Sequence, residues 1–179
     1  MRILVAGGAG YIGNHTCVEL LNAGHKVAVV DNLVNASAEA LKRVEQITGE
    51  RIPFYRADIR DRREMADILR RERIDGVINF AGLKAVGESV RKPLEYYDNN
   101  IGGMVTLCEA MGECGVKNLI FSSSATVYGD PAEMPITEAC PRGKTTNPYG
   151  RTKAMLEDIL TDLHTADGEW NIVLLRYFN

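Results

Sequence analysis

The sequence predicts an α/β fold in which about six strands form a doubly wound parallel sheet. Three observations carry this. Short apolar, β-branched runs alternate with segments of helical period along the whole chain. Several of the runs are apolar at successive positions rather than at every second one, as in strands buried on both faces. Gly24 and Gly115 stand where helices would stop before a following strand. Strict alternation of this kind favours the strand order 3-2-1-4-5-6, and a length of 179 residues suits one domain.

Taken in order, the first strand is Ile3 to Ala6 and its helix Tyr11 to Ala23, where Ile12, Val18, Leu20 and Leu21 recur with helical period. Val27 to Val30 is the second strand, followed by a helix from Ala36 to Thr48. Pro53 to Arg56 and Arg62 to Arg73 form the third pair, and Gly76 to Phe80 with one long helix, Leu94 to Cys114, the fourth. The fifth strand, Asn118 to Ser122, is separated from its helix, Tyr149 to Thr165, by a surface loop from Asp130 to Asn147 that contains Pro131, Pro135 and Pro141. Ile172 to Arg176 closes the sheet.

Bulk properties exclude several roles. A net charge of −3 leaves no broad basic surface, so neither nucleic acid nor an anionic membrane is an expected partner. The N-terminus turns into glycines after four apolar residues, too few for a signal segment or a span, which makes the expected location the cytoplasm. Cys17, Cys108, Cys114 and Cys140 have neither zinc-site nor disulfide-framework spacing, and His15, His25 and His164 are scattered. Reduced thiols and no metal are expected.

Gly7, Gly10 and Gly13, with Gly8 between, fall where the first strand turns into the first helix. Such a turn needs residues tolerant of positive φ, a phosphate needs backbone free of Cβ atoms, and a helix N-terminus offers free N–H donors and the positive end of a dipole. The triplet alone also fits an ordinary glycine-rich turn. Asp31 ends the second strand, 18 residues after Gly13 (31 − 13 = 18), where a carboxylate would meet an adenosine ribose and repel a 2′-phosphate. The pattern therefore predicts a Rossmann-type dinucleotide site that takes NAD rather than NADP, the alternative being that Asp31 is a plain turn residue. Asp58 and Ile59 after the third strand, and Phe80 to Lys84 after the fourth, lie at the same sheet edge and are expected to contact adenine and wall the cofactor.

Tyr149 and Lys153, four apart at the start of a helix, project from one face, and Ser124 follows the fifth strand. A phenol with its ordinary pKa of about 10 is a poor base at neutral pH, so Tyr149 must be acidified, and a nearby Lys153 ammonium and a positive nicotinamide ring would both favour its phenolate. Ser124 would then orient the substrate oxygen or relay its proton. The plainer alternatives are a loop-capping tyrosine, a solvated lysine and a polar strand end.

With these residues placed, the chain resembles the extended short-chain dehydrogenase/reductase family. The resemblance runs its full length and is carried by Gly7-Gly8-Ala9-Gly10-Tyr11-Ile12-Gly13, by Phe80 to Ser89, by Pro93 to Asn100, by Ser122 to Gly129 and by Asn147-Pro148-Tyr149-Gly150-x-x-Lys153. It implies that Ser124, Tyr149 and Lys153 are catalytic and that NAD is held by Gly7, Gly10, Tyr11, Ile12, Gly13, Asp31, Asn32, Asn35, Asp58, Ile59, Phe80, Ala81, Gly82, Lys84, Asn99, Ser122, Tyr149, Lys153 and Phe178. Ser124, Tyr149 and Asn179 would meet the substrate. It further implies interconversion of UDP-glucose and UDP-galactose through transient oxidation at C4, a step of galactose metabolism, by a homodimer paired through the helices of Leu94 to Cys114 and Tyr149 to Thr165. The dehydratase branch of the family carries an Asp-Glu pair just after the strand-five serine or threonine, where this chain has Ala125-Thr126. Without that acid and base, loss of water is disfavoured and epimerisation preferred. Similar proteins continue past Asn179 into a smaller substrate-gripping domain, which the resemblance leads one to expect outside these 179 residues. An NAD-binding module without turnover, or another sugar-nucleotide-modifying member of the family, are the expected alternatives.

Overall fold

The computed structural model describes residues 1–131 and 133–178. Six parallel strands, β1 (Arg2–Ala6), β2 (Lys26–Val30), β3 (Phe54–Tyr55), β4 (Gly76–Asn79), β5 (Asn118–Ser124) and β6 (Asn171–Tyr177), form one sheet in the order β3-β2-β1-β4-β5-β6. Alternation along each strand divides the core in two. Ile3, Val5, Val27, Val29 and Ile78 pack with Cys17 of α1 (Tyr11–Asn22) and with Leu41 and Val44 of α2 (Glu39–Thr48) on one face. Leu4, Ala6, Ala28, Val30, Val77, Leu119 and Phe121 pack on the other. There they meet Met65, Ile68 and Leu69 of α3 (Arg62–Glu72), residues of the helix ending at Glu113, and Leu156 and Leu160 of the C-terminal helix.

The segment after β4 differs from the single helix that its period predicts. A short α4 (Val86–Arg91) comes first, then α5 (Pro93–Tyr96), a π-helical turn (Tyr97–Gly102) and α6 (Gly103–Glu113). Asn100, within the π turn, is the physical reason. Its buried amide accepts from Leu83 N–H (2.8 Å) and donates to Leu83 C=O (3.0 Å) and Thr152 Oγ1 (3.2 Å), and meeting those partners widens the helix locally. Beyond β5, Ala125–Tyr128 forms a 3-10 turn, and α7 (Pro148–Ala166) leads into β6. Two expected strands are shorter than read, because Phe80 turns out of the sheet after Asn79 and only Phe54 and Tyr55 of the third run pair with β2. All four cysteines are free. Among the described residues no helix is long and apolar enough to cross a membrane and no cluster of metal-ligating side chains occurs.

Candidate active site

The C-terminal ends of the strands open into one cleft. Its outer part is lined by Gly7, Gly10, Tyr11, Asp31, Asn32, Asn35, Asp58, Ile59, Phe80 to Lys84 and Asn99. Its inner part shares Gly7, Gly10, Tyr11, Phe80, Gly82, Leu83 and Lys84 and adds Ile12, Gly13, Ser122, Ser123, Ser124, Tyr149, Lys153 and Tyr177. Nearly every residue singled out in the sequence therefore faces one space. Phe178 does not. It stands 6.2 Å from the Tyr128 ring, in the adjoining hollow of Ile136 and Leu174–Tyr177, while its neighbour Tyr177 reaches the inner cleft. Asn179 lies outside the described residues.

The glycines meet distinct steric demands. Gly7 has φ +75°, and a Cβ there would lie 2.6 Å from Ala81 N. A Cβ on Gly13 would lie 2.3 Å from Gly7 O, so α1 could not close on the turn. Gly10 is the N-cap of α1 and supplies no side chain to cap it. Helices α3 and α7 contrast with this, since Asp61 accepts from Glu64 N–H (3.0 Å) and Asn147 from Gly150 N–H (2.8 Å). Among the described residues the Tyr11, Ile12 and Gly13 N–H groups have no acceptor within the protein. An uncapped helix start with three free donors, facing a cleft kept clear of Cβ atoms, fits a diphosphate.

Asp31 performs a second task that its spacing did not reveal. Its carboxylate accepts from Ala9 N–H (3.1 Å) and Leu33 N–H (2.8 Å), bracing the glycine turn from the end of β2. Asp58 is held by Arg60 (2.8 and 3.0 Å) and by the Asn32 amide (3.1 Å), and the guanidinium keeps its carboxyl low, at about 2.

At the inner end, Tyr149 lies in the first turn of α7, Lys153 one turn on, and Ser124 ends β5. Ser124 Oγ caps the 3-10 turn through Thr126 N–H (3.2 Å). Lys153 Nζ donates to Ser122 C=O (2.6 Å) and stands 4.7 Å from the Phe121 ring centroid and 5.9 Å from that of Tyr149. Burial lowers its pKa to about 8. Burial pushes the Tyr149 phenol up, and the Ser124 hydroxyl draws it down.

The lysine shift has a signed consequence. Its folded-state value lies below the ordinary 10.5, so between about pH 8 and 10.5 the unfolded chain binds more protons and stability from this group rises with pH. Urea unfolding of wild type and Lys153→Met should show the wild type gaining on the variant between about pH 7.5 and 10. A constant difference would mean that the ammonium is not desolvated.

Sequence reading missed the residues that fasten these groups. Thr152 Oγ1 donates to Tyr149 C=O (2.7 Å) and receives the Asn100 amide, tying α7 to the Phe80–Lys84 wall. Glu157, 2% exposed, accepts from Ser123 Oγ (2.5 Å) and from Arg176 Nε (3.0 Å) and Nη2 (2.8 Å). Buried polar residues far apart in the chain were the available signal, but only the fold pairs them.

A six-stranded parallel sheet in this order, with a glycine turn leading into an uncapped helix, defines a Rossmann-like fold. The chain belongs to the NAD dependent epimerase/dehydratase family, whose model matches residues 3–179. It is 63% identical over 179 residues to UDP-glucose 4-epimerase of Bacillus subtilis (strain 168), covering all of this chain and 52% of that protein. It is 57% identical over 180 residues to UDP-glucose 4-epimerase 2 of Arabidopsis thaliana, covering 99% of this chain and 51% of that one. The structure of UDP-glucose 4-epimerase from Bifidobacterium longum in complex with NAD+ and UDP superimposes with a TM-score of 0.98 at 57% identity, over all of this chain and 53% of that one. The chain thus spans about half the length of the relatives it matches.

Proposed function

We propose that these 179 residues form the NAD-binding domain, with the catalytic side chains, of a UDP-glucose 4-epimerase that interconverts UDP-glucose and UDP-galactose in the cytoplasm. The observation that carries this is the continuity of the cleft: the uncapped start of α1 and Asp31 share walls with Ser124, Tyr149 and Lys153. NAD would lie with its diphosphate on Tyr11, Ile12 and Gly13 N–H groups and its adenosine ribose at Asp31, whose negative charge disfavours a 2′-phosphate. Bound NAD supplies the acceptor for hydride from C4 and a positive charge near the phenol.

Tyr149 takes the 4-hydroxyl proton, and Ser124 holds the same oxygen by a hydrogen bond. Lys153, fixed by Ser122 C=O, contributes its charge from 5.9 Å off the Tyr149 ring centroid and favours phenolate once the site is filled. For the reverse step the 4-keto sugar would have to turn over within the site, and Tyr149 would then return the proton to its 4-oxygen. Ala125 and Thr126 occupy the places where the dehydratases have their acid and base, which supports epimerisation over loss of water. A homodimer would pair through α5, α6 and α7, where Leu94, Val105 and Met155 are apolar and exposed.

The test is to measure interconversion of UDP-galactose and UDP-glucose by the purified protein together with its nucleotide content. Retained NAD, little NADP and turnover are expected. NAD without turnover would mean a binding module, and no nucleotide would overturn the reading.

A further inference from the structure

Directly behind the catalytic group lies a buried charged cluster that the proposed reaction does not use. On the inner face of α7, Lys153 and Glu157 occupy consecutive turns and engage consecutive residues of β5. Lys153 donates to Ser122 C=O, and Glu157 accepts from Ser123 Oγ. The next residue in β5 is Ser124, in the inner cleft. On the other side Arg176 stands opposite Ser123 in the β5–β6 register, gives both Nε and Nη2 to the Glu157 carboxylate, and donates through Nη1 to Tyr128 Oη (2.9 Å). Arg142, from the loop before α7, comes within 3.7 Å of the same carboxylate and also donates to Ala154 C=O (3.0 Å).

We propose that Glu157 is a positioning residue: through Ser123 it sets the end of β5 against α7, and thereby the spacing of Ser124 from Tyr149 and Lys153. The geometry gives the reason. A helix and a parallel strand share no backbone hydrogen bonds, so their relative slide is limited only by side-chain packing and by polar links such as these. Arg176 fixes the carboxylate from the adjacent strand, so the acceptor that Ser123 meets cannot rotate away. The assignment rests on Ser124, Tyr149 and Lys153 being the catalytic group.

The decisive variant is Ser123→Ala, which severs the link without altering any charge or unpairing Arg176. Tyr149 ionisation is read by ultraviolet titration of the NAD-loaded protein, as the difference from the corresponding Tyr149→Phe background. Ser124 shares the inner cleft with Tyr149, and its hydroxyl is one of the groups that favour the phenolate, so a displaced Ser124 moves the Tyr149 midpoint to higher pH. Turnover of UDP-galactose is expected to fall about 10- to 100-fold in kcat, with KM and NAD content unchanged, as for a small misplacement of reacting groups. Ser123→Thr, which keeps the hydroxyl, should restore both. An unmoved Tyr149 titration in Ser123→Ala, or a loss of melting temperature alone, overturns the proposal. The titration needs no substrate, so a shifted midpoint in a protein that turns over no UDP-hexose would sink the epimerase reading and leave the positioning role standing.

Discussion

Replacing Tyr149 by Phe should lower UDP-hexose interconversion by about 10²- to 10⁴-fold, the range expected when a positioned proton-transfer group is lost. The same variant should keep its NAD. Phenylalanine preserves the ring that packs beside Lys153 and in the inner cleft, so only the ionisable oxygen disappears. The free N–H groups at the start of α1 are backbone donors that the substitution does not alter, and the carboxylate of Asp31 lies in the outer part. Steady-state rates with UDP-galactose, set beside nucleotide released on denaturation, separate the two effects. Near wild-type turnover would remove Tyr149 from proton transfer. Loss of NAD with loss of rate would instead make the ring part of the cofactor wall.

The largest stability effect is expected at Glu157. Leucine there would leave the Arg176 guanidinium and Ser123 hydroxyl without their acceptor in the interior. Breaking one partner of a buried ion pair costs about 3–5 kcal/mol. The lower end applies, since the Arg176 side chain is 22% exposed and can reach some water. Adding Arg176→Met removes the stranded charge and should return much of the loss, although Tyr128 then forfeits its hydrogen bond. Urea midpoints of the two variants decide the matter. Equal instability of single and double variants would show that the cost comes from misfit of leucine rather than from an orphaned cation.

How far the fold was legible follows from where each signal resides. The sheet could be read because its central strands β1 and β4 bury both faces, so that Ile3 and Leu4, or Val77 and Ile78, are apolar in succession and belong to opposite core layers. The glycine turn could be read because a positive φ at Gly7 and the close approach of Gly13 to Gly7 admit nothing larger. Tyr149 and Lys153 could be read because one helix carries both at neighbouring turns. What stayed hidden depends on tertiary pairing. Glu157 meets Ser123 across 34 residues, and Asn100 meets Thr152 across 52. No local pattern marks such partners. Helix α4 was hidden for another reason: it is only six residues long, and Val86 and Val90 are exposed rather than facing the core.

The π turn at Tyr97–Gly102 has a consequence for chain length. Each α-helical residue advances about 100° around the axis, so one widened turn changes the phase of everything after it. As built, Asn99 faces the cleft and Asn100 the interior, while Met104, Leu107 and Met111 still come round to the core. Deleting one residue between 97 and 102, to leave a plain α-helix, would swing α6 by about 100° relative to the cleft. Either Asn99 would leave the cofactor wall or Met104, Leu107 and Met111 would turn toward solvent. This stretch tolerates a change of side chain far better than a change in the number of residues.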